Sequence, residues 1–171
     1  MLSEILRLNR KDRAYYYIRT RTELEEILDR FDDSGFRYLH LSCHGDANYM
    51  ATTLDNIPLR ELGTMLHPCM EDRRLFVSSC KMTNAKLARS LIPGSGCYSI
   101  IGPTEQVQFA DAAILWASFY HQMIKRNEHA MKRKALLAEL KSLTRVFGVP
   151  MNYFTADSTR SQGFRRDRVD P

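Results

Sequence analysis

Two apolar runs in the chain end on side chains that can do chemistry. "LHLSCHG", residues 39–45, stops at His44, and "LFVSSC", residues 75–80, stops at Cys80. A thiol and an imidazole brought together form a nucleophile and its acid–base partner. Cysteine attacks as the thiolate, which a neighbouring imidazolium favours, and Lys81 would add a further positive charge. His44 would give its proton to a leaving amine and later activate water. Gly45 lets the backbone approach a substrate closely, so its N–H and that of Cys80 would both serve a developing oxyanion. Losing one such donor typically costs roughly 2.7–4 kcal/mol of transition-state stabilisation. The plainer reading is that His44 is only a polar residue at a turn.

The pairing requires the two runs to be neighbouring parallel strands, whose carboxyl ends then share one edge of a sheet. Cys43 touches His44 in sequence, but adjacent strand residues point to opposite faces, which makes Cys43 a packing residue. Asp46 and Glu105 are candidates for a substrate pocket that accepts a basic P1 side chain. Their duller readings are a turn cap for Asp46 and a solvent-facing position for Glu105. His40 lies two residues back on the same strand and is expected to pack in the sheet. His121 and His129 fall on helices, with surface or partly buried roles.

The rest of the chain reads as alternating strands and helices. "AYYYI" at 14–18 is rich in β-formers and predicts a strand. Thr22-Glu23-Leu24-Glu25 has the spacing of a capping box and opens a helix with Leu24, Ile27, Leu28 and Phe31 on one face. "FRYLHLSC" reads as a central parallel strand. Asp46 to Asn56 is a loop, with a small ribbon about "YMATTL". A helix follows, with Pro58 at its start. Next come the strand "RRLFVSSC", a helix opened by Asn84, the strand "YSIIG", a long helix from Phe109, and a last helix over about 129–147. This alternation predicts an α/β fold of three layers, α/β/α, with a short and mostly parallel sheet. Residues 1–150 form one domain in this reading. Residues 151–171, poor in apolar side chains, form a mobile basic-polar tail.

Composition narrows the possibilities. The chain has 171 residues, 44% hydrophobic and 26% charged, as in an ordinary globular domain. No run approaches the roughly 18 apolar residues of a membrane span, and the amino terminus has no secretory h-region, so a cytoplasmic protein is expected. Cys43, Cys69, Cys80 and Cys97 show no C-x-x-C spacing, which disfavours a disulfide framework. His67-Pro68-Cys69 has no second ligand pair nearby, so zinc is not expected. The net charge is +5, and the segment from Lys125 to Arg145 alone holds seven basic residues against Glu128 and Glu139. Lys132, Arg133 and Lys134 within it are candidates for docking an acidic partner, or simply a solvated helix face. No stacking aromatics interleave with these charges, which argues against nucleic acid as a direct ligand.

Together, "LHLSCHG", "LFVSSC", the Leu-Ala-Arg-Ser-Leu helix at 87–91 and "YSIIGPTEQVQFADAAILWASFYHQMI" resemble the caspase-like cysteine peptidases. The similarity is nearest to their CHAT branch, which includes separase-like enzymes, and it spans about residues 14–140. It implies a caspase-like (flavodoxin-like) fold and a thiol endopeptidase with a His44–Cys80 dyad and no cofactor. It also implies a protein substrate and an activating protein or sensor partner. Two features depart from the family. "SSCKM" stands where caspases have Q-A-C-x-G, so aspartate specificity does not carry over, and the strand that should precede "YYYI" is missing. A different class of function is a non-enzymatic interaction module on the same fold, using the basic helix. A receiver or nucleotide module lacks support, since there is no glycine-rich phosphate loop and no acidic cluster.

Overall fold

The computed structural model describes Leu6, residues 12–126 and residues 131–171. The expected start of the last helix, with Glu128 and His129, lies outside these residues. In chain order the elements are α1 (Arg21–Asp32), β1 (Tyr38–Ser42), β2 (His44–Gly45), β3 (Tyr49–Ala51), β4 (Asn56–Pro58) and α2 (Leu59–Leu66). A 3-10 turn (His67–Cys69) leads to β5 (Arg74–Ser78), α3 (Ala85–Leu91), β6 (Ser99–Pro103), α4 (Phe109–Arg126), α5 (Arg133–Phe147), β7 (Met151–Ala156) and β8 (Phe164–Val169).

The main sheet has the order β1-β5-β6-β7-β8, and β2-β3-β4 form a separate ribbon. β1, β5 and β6 are parallel, whereas β7 and β8 are antiparallel to their neighbours. A single helix between β5 and β6 returns the chain to the starting edge, which makes those strands parallel. Between β6 and β7 the chain makes two helices, α4 and α5, and so returns on the edge it left. β7 therefore runs the other way.

Strand alternation divides the core into two faces. Leu75, Val77, Ile100 and Phe154 point towards α1, α2 and α3. Phe76, Ile101, Met151 and Tyr153 point towards α4 and α5. This is the three-layer α/β/α arrangement. On the second face Phe76 meets Trp116, Phe119 and Tyr120 with ring centroids 5.5–5.7 Å apart. Among the described residues no helix is long and apolar enough to cross a membrane.

Four sequence expectations differ from the structure. Residues 14–18 form no strand; Tyr15 and Tyr17 are exposed, and Tyr17 Oη lies 3.0 Å from Thr53 Oγ1. β1 is consequently an edge strand and not a central one. The helix cap is Thr20, whose hydroxyl accepts from the Glu23 N–H at 3.2 Å, while Glu23 accepts from the Arg19 N–H at 2.6 Å. The helix cap thus stands two residues before Thr22. Residues 151–171 are no tail, because β7 and β8 complete the main sheet. β8 is anchored at its two ends by buried Phe164 and Val169, and its interior charges suit an edge strand.

Candidate active site

β1 and β5 are neighbours, paired in register from Tyr38↔Arg74 to Ser42↔Ser78. His44 and Cys80 each follow two residues after that last pair. The chains diverge there: Ser79 and Cys80 turn over the end of the main sheet, whereas His44 and Gly45 join the ribbon, opposite Ala51 and Met50. The ribbon docks on the core through Met50 and Ile57, both buried. The result is a cleft of about 330 Å³ lined by His44, Gly45, Asp46, Cys80 and Lys81, with Tyr49, Ala51 and Gln106 completing its wall.

Cys80 is half-buried, and its thiol donates weakly to the Val107 carbonyl at 3.7 Å. Burial raises the other three thiols: Cys43 and Cys69 to about 11 and Cys97 to about 12. Cys43 packs against Met82, with the two sulfurs 3.8 Å apart. His44 is exposed, and among the described residues its ring has no hydrogen-bond partner. Both side chains thus line one cleft, and among the described residues no group orients the His44 ring.

Gly45 is where the ribbon touches the Cys80 loop. A Cβ there would lie 2.6 Å from Met82 Sδ and 2.8 Å from the Tyr49 carbonyl oxygen, so only glycine fits. The Asp46 N–H donates to the Tyr49 carbonyl at 3.0 Å, making that pair the hydrogen-bonded one. By the alternation of an antiparallel ladder, the Gly45 N–H then points away from β3 and stays free of the ribbon. Asp46 lines the cleft, but its Oδ1 accepts from the Asn48 and Tyr49 N–H groups at 2.7 and 3.1 Å, capping the turn.

One residue of the site was read in sequence only as a helix opener. Asn84 caps α3 through Oδ1, which accepts from the Lys86 N–H at 2.8 Å. Its Nδ2 donates to the carbonyls of Lys81, at 2.9 Å, and Ala47, at 3.2 Å. It therefore ties the Cys80 loop to the His44 ribbon. Lys81 adopts a left-handed backbone with φ of 58° to make that turn. The only sequence signal for Asn84 was its cap position.

The remaining candidates are elsewhere. Glu105 does not line the His44–Cys80 cleft; it lies in the next one, 3.6 Å from Arg168. Lys132, Arg133 and Lys134 open α5, on the opposite face of the sheet. Arg133 is engaged by Asp167 at 2.7 Å and lies over the ring of Tyr153, while Lys132 and Lys134 are exposed. His40 packs as expected: its Nδ1 is 3.0 Å from Tyr120 Oη and its ring lies edge-on to Trp116. Burial of the ring lowers its pKa to about 3, although the residue as a whole keeps some exposure. Among the described residues no group of three or more His, Cys, Asp or Glu side chains could hold a metal ion.

No known protein family matches this chain, and no curated protein matches it either.

Proposed function

We propose that the chain is a cysteine endopeptidase of the CHAT, caspase-like type, with Cys80 as nucleophile and His44 as acid–base. The observation that carries this reading is the in-register pairing of β1 with β5, which delivers both side chains to one cleft. In the reaction the Cys80 thiolate attacks the scissile carbonyl, and the N–H groups of Cys80 and Gly45 receive the oxyanion. His44 protonates the departing amine, leaving a thioester. Water then attacks the thioester, giving its proton to His44 and releasing the new carboxyl terminus and the thiol.

Four unpaired thiols suit a reducing compartment such as the cytoplasm. The alternative reading, a non-enzymatic module that docks a partner through Lys132, Arg133 and Lys134, has less support because Arg133 is already engaged by Asp167. The test is a peptide-library cleavage profile of the full chain beside Cys80→Ala and His44→Ala. Loss of more than about 10³-fold in both variants is expected. Cleavage that persists in Cys80→Ala would overturn the assignment.

A further inference from the structure

A second cleft, of about 240 Å³, adjoins the first. Lys81 lines both, and the chain segments Asp46–Ala47 and Glu105–Gln106 each give one residue to either side. Three cations line this second cleft, Lys81, Arg166 and Arg168, against the single carboxylate of Glu105. Both arginines lie on β8, two positions apart and so on one face of the strand.

Two buried polar residues, Asn152 and Thr83, line the cleft beneath its three exposed cations. Asn152 is 3% exposed; its Oδ1 accepts from Arg166 Nε at 2.7 Å and its Nδ2 donates to the Thr83 carbonyl at 2.6 Å. Arg166 is thereby held in place, yet among the described residues it pairs with no carboxylate. Thr83 also lines the cleft, and among the described residues its buried Oγ1 has no hydrogen-bond partner. Arg168 is shared between Glu105 and Asp170, both exposed, and such pairs are screened and weak. A guanidinium pre-positioned by a buried amide, with further cations around it, matches a planar carboxylate.

We infer that this second cleft is a subsite for an acidic side chain, aspartate or glutamate, of the peptide whose carbonyl is presented to Cys80. The inference rests on the peptidase reading. The peptide runs past Lys81, its reacting carbonyl in the first cleft and its carboxylate on Arg166 and Arg168. Glu105 occupies part of the same field and limits the attraction.

The experiment uses the full chain and a library of capped hexapeptides with aspartate, glutamine or lysine at each position in turn. Wild type is expected to prefer aspartate within a few residues of the cut by roughly tenfold or more, and Arg166→Gln to lose that preference. Glu105→Gln, at an exposed position, is expected to sharpen it, a gain that misfolding cannot mimic. Cleavage with no acidic preference, or a preference unchanged in an Arg166→Gln/Arg168→Gln double variant, overturns the subsite and leaves the peptidase reading standing. If wild type cleaves nothing, the peptidase reading fails by itself. The cleft is then judged by fluorescence anisotropy of the aspartate hexapeptides on Cys80→Ala protein. Salt-sensitive binding abolished by Arg166→Gln supports the site, and no binding overturns it.

Discussion

The side-chain amide of Asn84 donates to the carbonyl of Ala47 at 3.2 Å, joining the cap of α3 to the ribbon that carries His44. The same amide holds the Lys81 carbonyl, and the same side chain caps the helix. One residue therefore serves both the start of the helix and the link between the Cys80 loop and the His44 ribbon. Asn84→Ala should lower stability by about 1 kcal/mol, the usual cost of a lost cap. Asn84→Asp keeps the cap but loses both donated bonds. Denaturant midpoints should thus fall mainly in the alanine variant, whereas turnover of a cleaved peptide should fall in both. Unchanged turnover in Asn84→Asp would count against the clasp.

Thiol chemistry should single out Cys80. At a pKa of about 11 or 12, less than roughly 10⁻³ of Cys43, Cys69 and Cys97 is thiolate near neutral pH. Brief iodoacetamide treatment of native protein, read by peptide mass spectrometry, is expected to give one adduct, on Cys80. Faster labelling of Cys43 would contradict the packing described for it.

Gly45→Ala should destabilise the chain by roughly 1–3 kcal/mol, because the new methyl meets Met82 Sδ and the Tyr49 carbonyl. Half of that conflict is with a flexible side chain. In a Met82→Ala background, itself costly, the added cost of Gly45→Ala should shrink, and a double-mutant cycle from urea melts measures the difference. Additive effects would mean that the two residues do not meet.

His40 gives a pH dependence of known sign. Its folded pKa, about 3, lies below the unfolded value of about 6.5, so the unfolded chain takes up the proton first. Stability from this residue is present above pH 6.5 or so and is lost as pH falls towards 3. His40→Phe removes that loss. Relative to wild type, the variant should gain up to about 3 kcal/mol between pH 7 and pH 4. Parallel pH profiles for the two proteins would refute the burial of this ring.

Phe76 stands at the centre of the aromatic cluster and is fully buried. Phe76→Ala should cost about 3–5 kcal/mol, measured by thermal or denaturant unfolding. A cost below 1 kcal/mol would be incompatible with this packing.

The strands that lead to His44 and Cys80 were legible in sequence because both are apolar and stop abruptly at polar residues. Their adjacency could only be posed as a condition, since pairing is a long-range property that no local pattern encodes. The run of three tyrosines misled for the opposite reason: β-propensity reports fitness for a half-buried surface, and no strand pairs with residues 14–18. β8 went unseen because only Phe164 and Val169 are apolar, and the alternation between them is of charges. The second cleft was illegible for the same reason, as its arginines lie on that strand. Asn84 could be read as a cap, but its second amide hydrogen bond reaches a segment that sequence spacing does not bring near.

His44 belongs to the ribbon and Cys80 to the loop that leaves β5 of the main sheet, and Cys43 is the only residue between β1 and β2. The distance between the two side chains is therefore governed by how the ribbon seats upon the main sheet, through Met50, Ile57, the Gly45–Met82 contact and the Asn84 clasp. The reach of the histidine towards the thiol is thus set at a seam between two sheets, outside the five-stranded platform whose two faces carry the two cores.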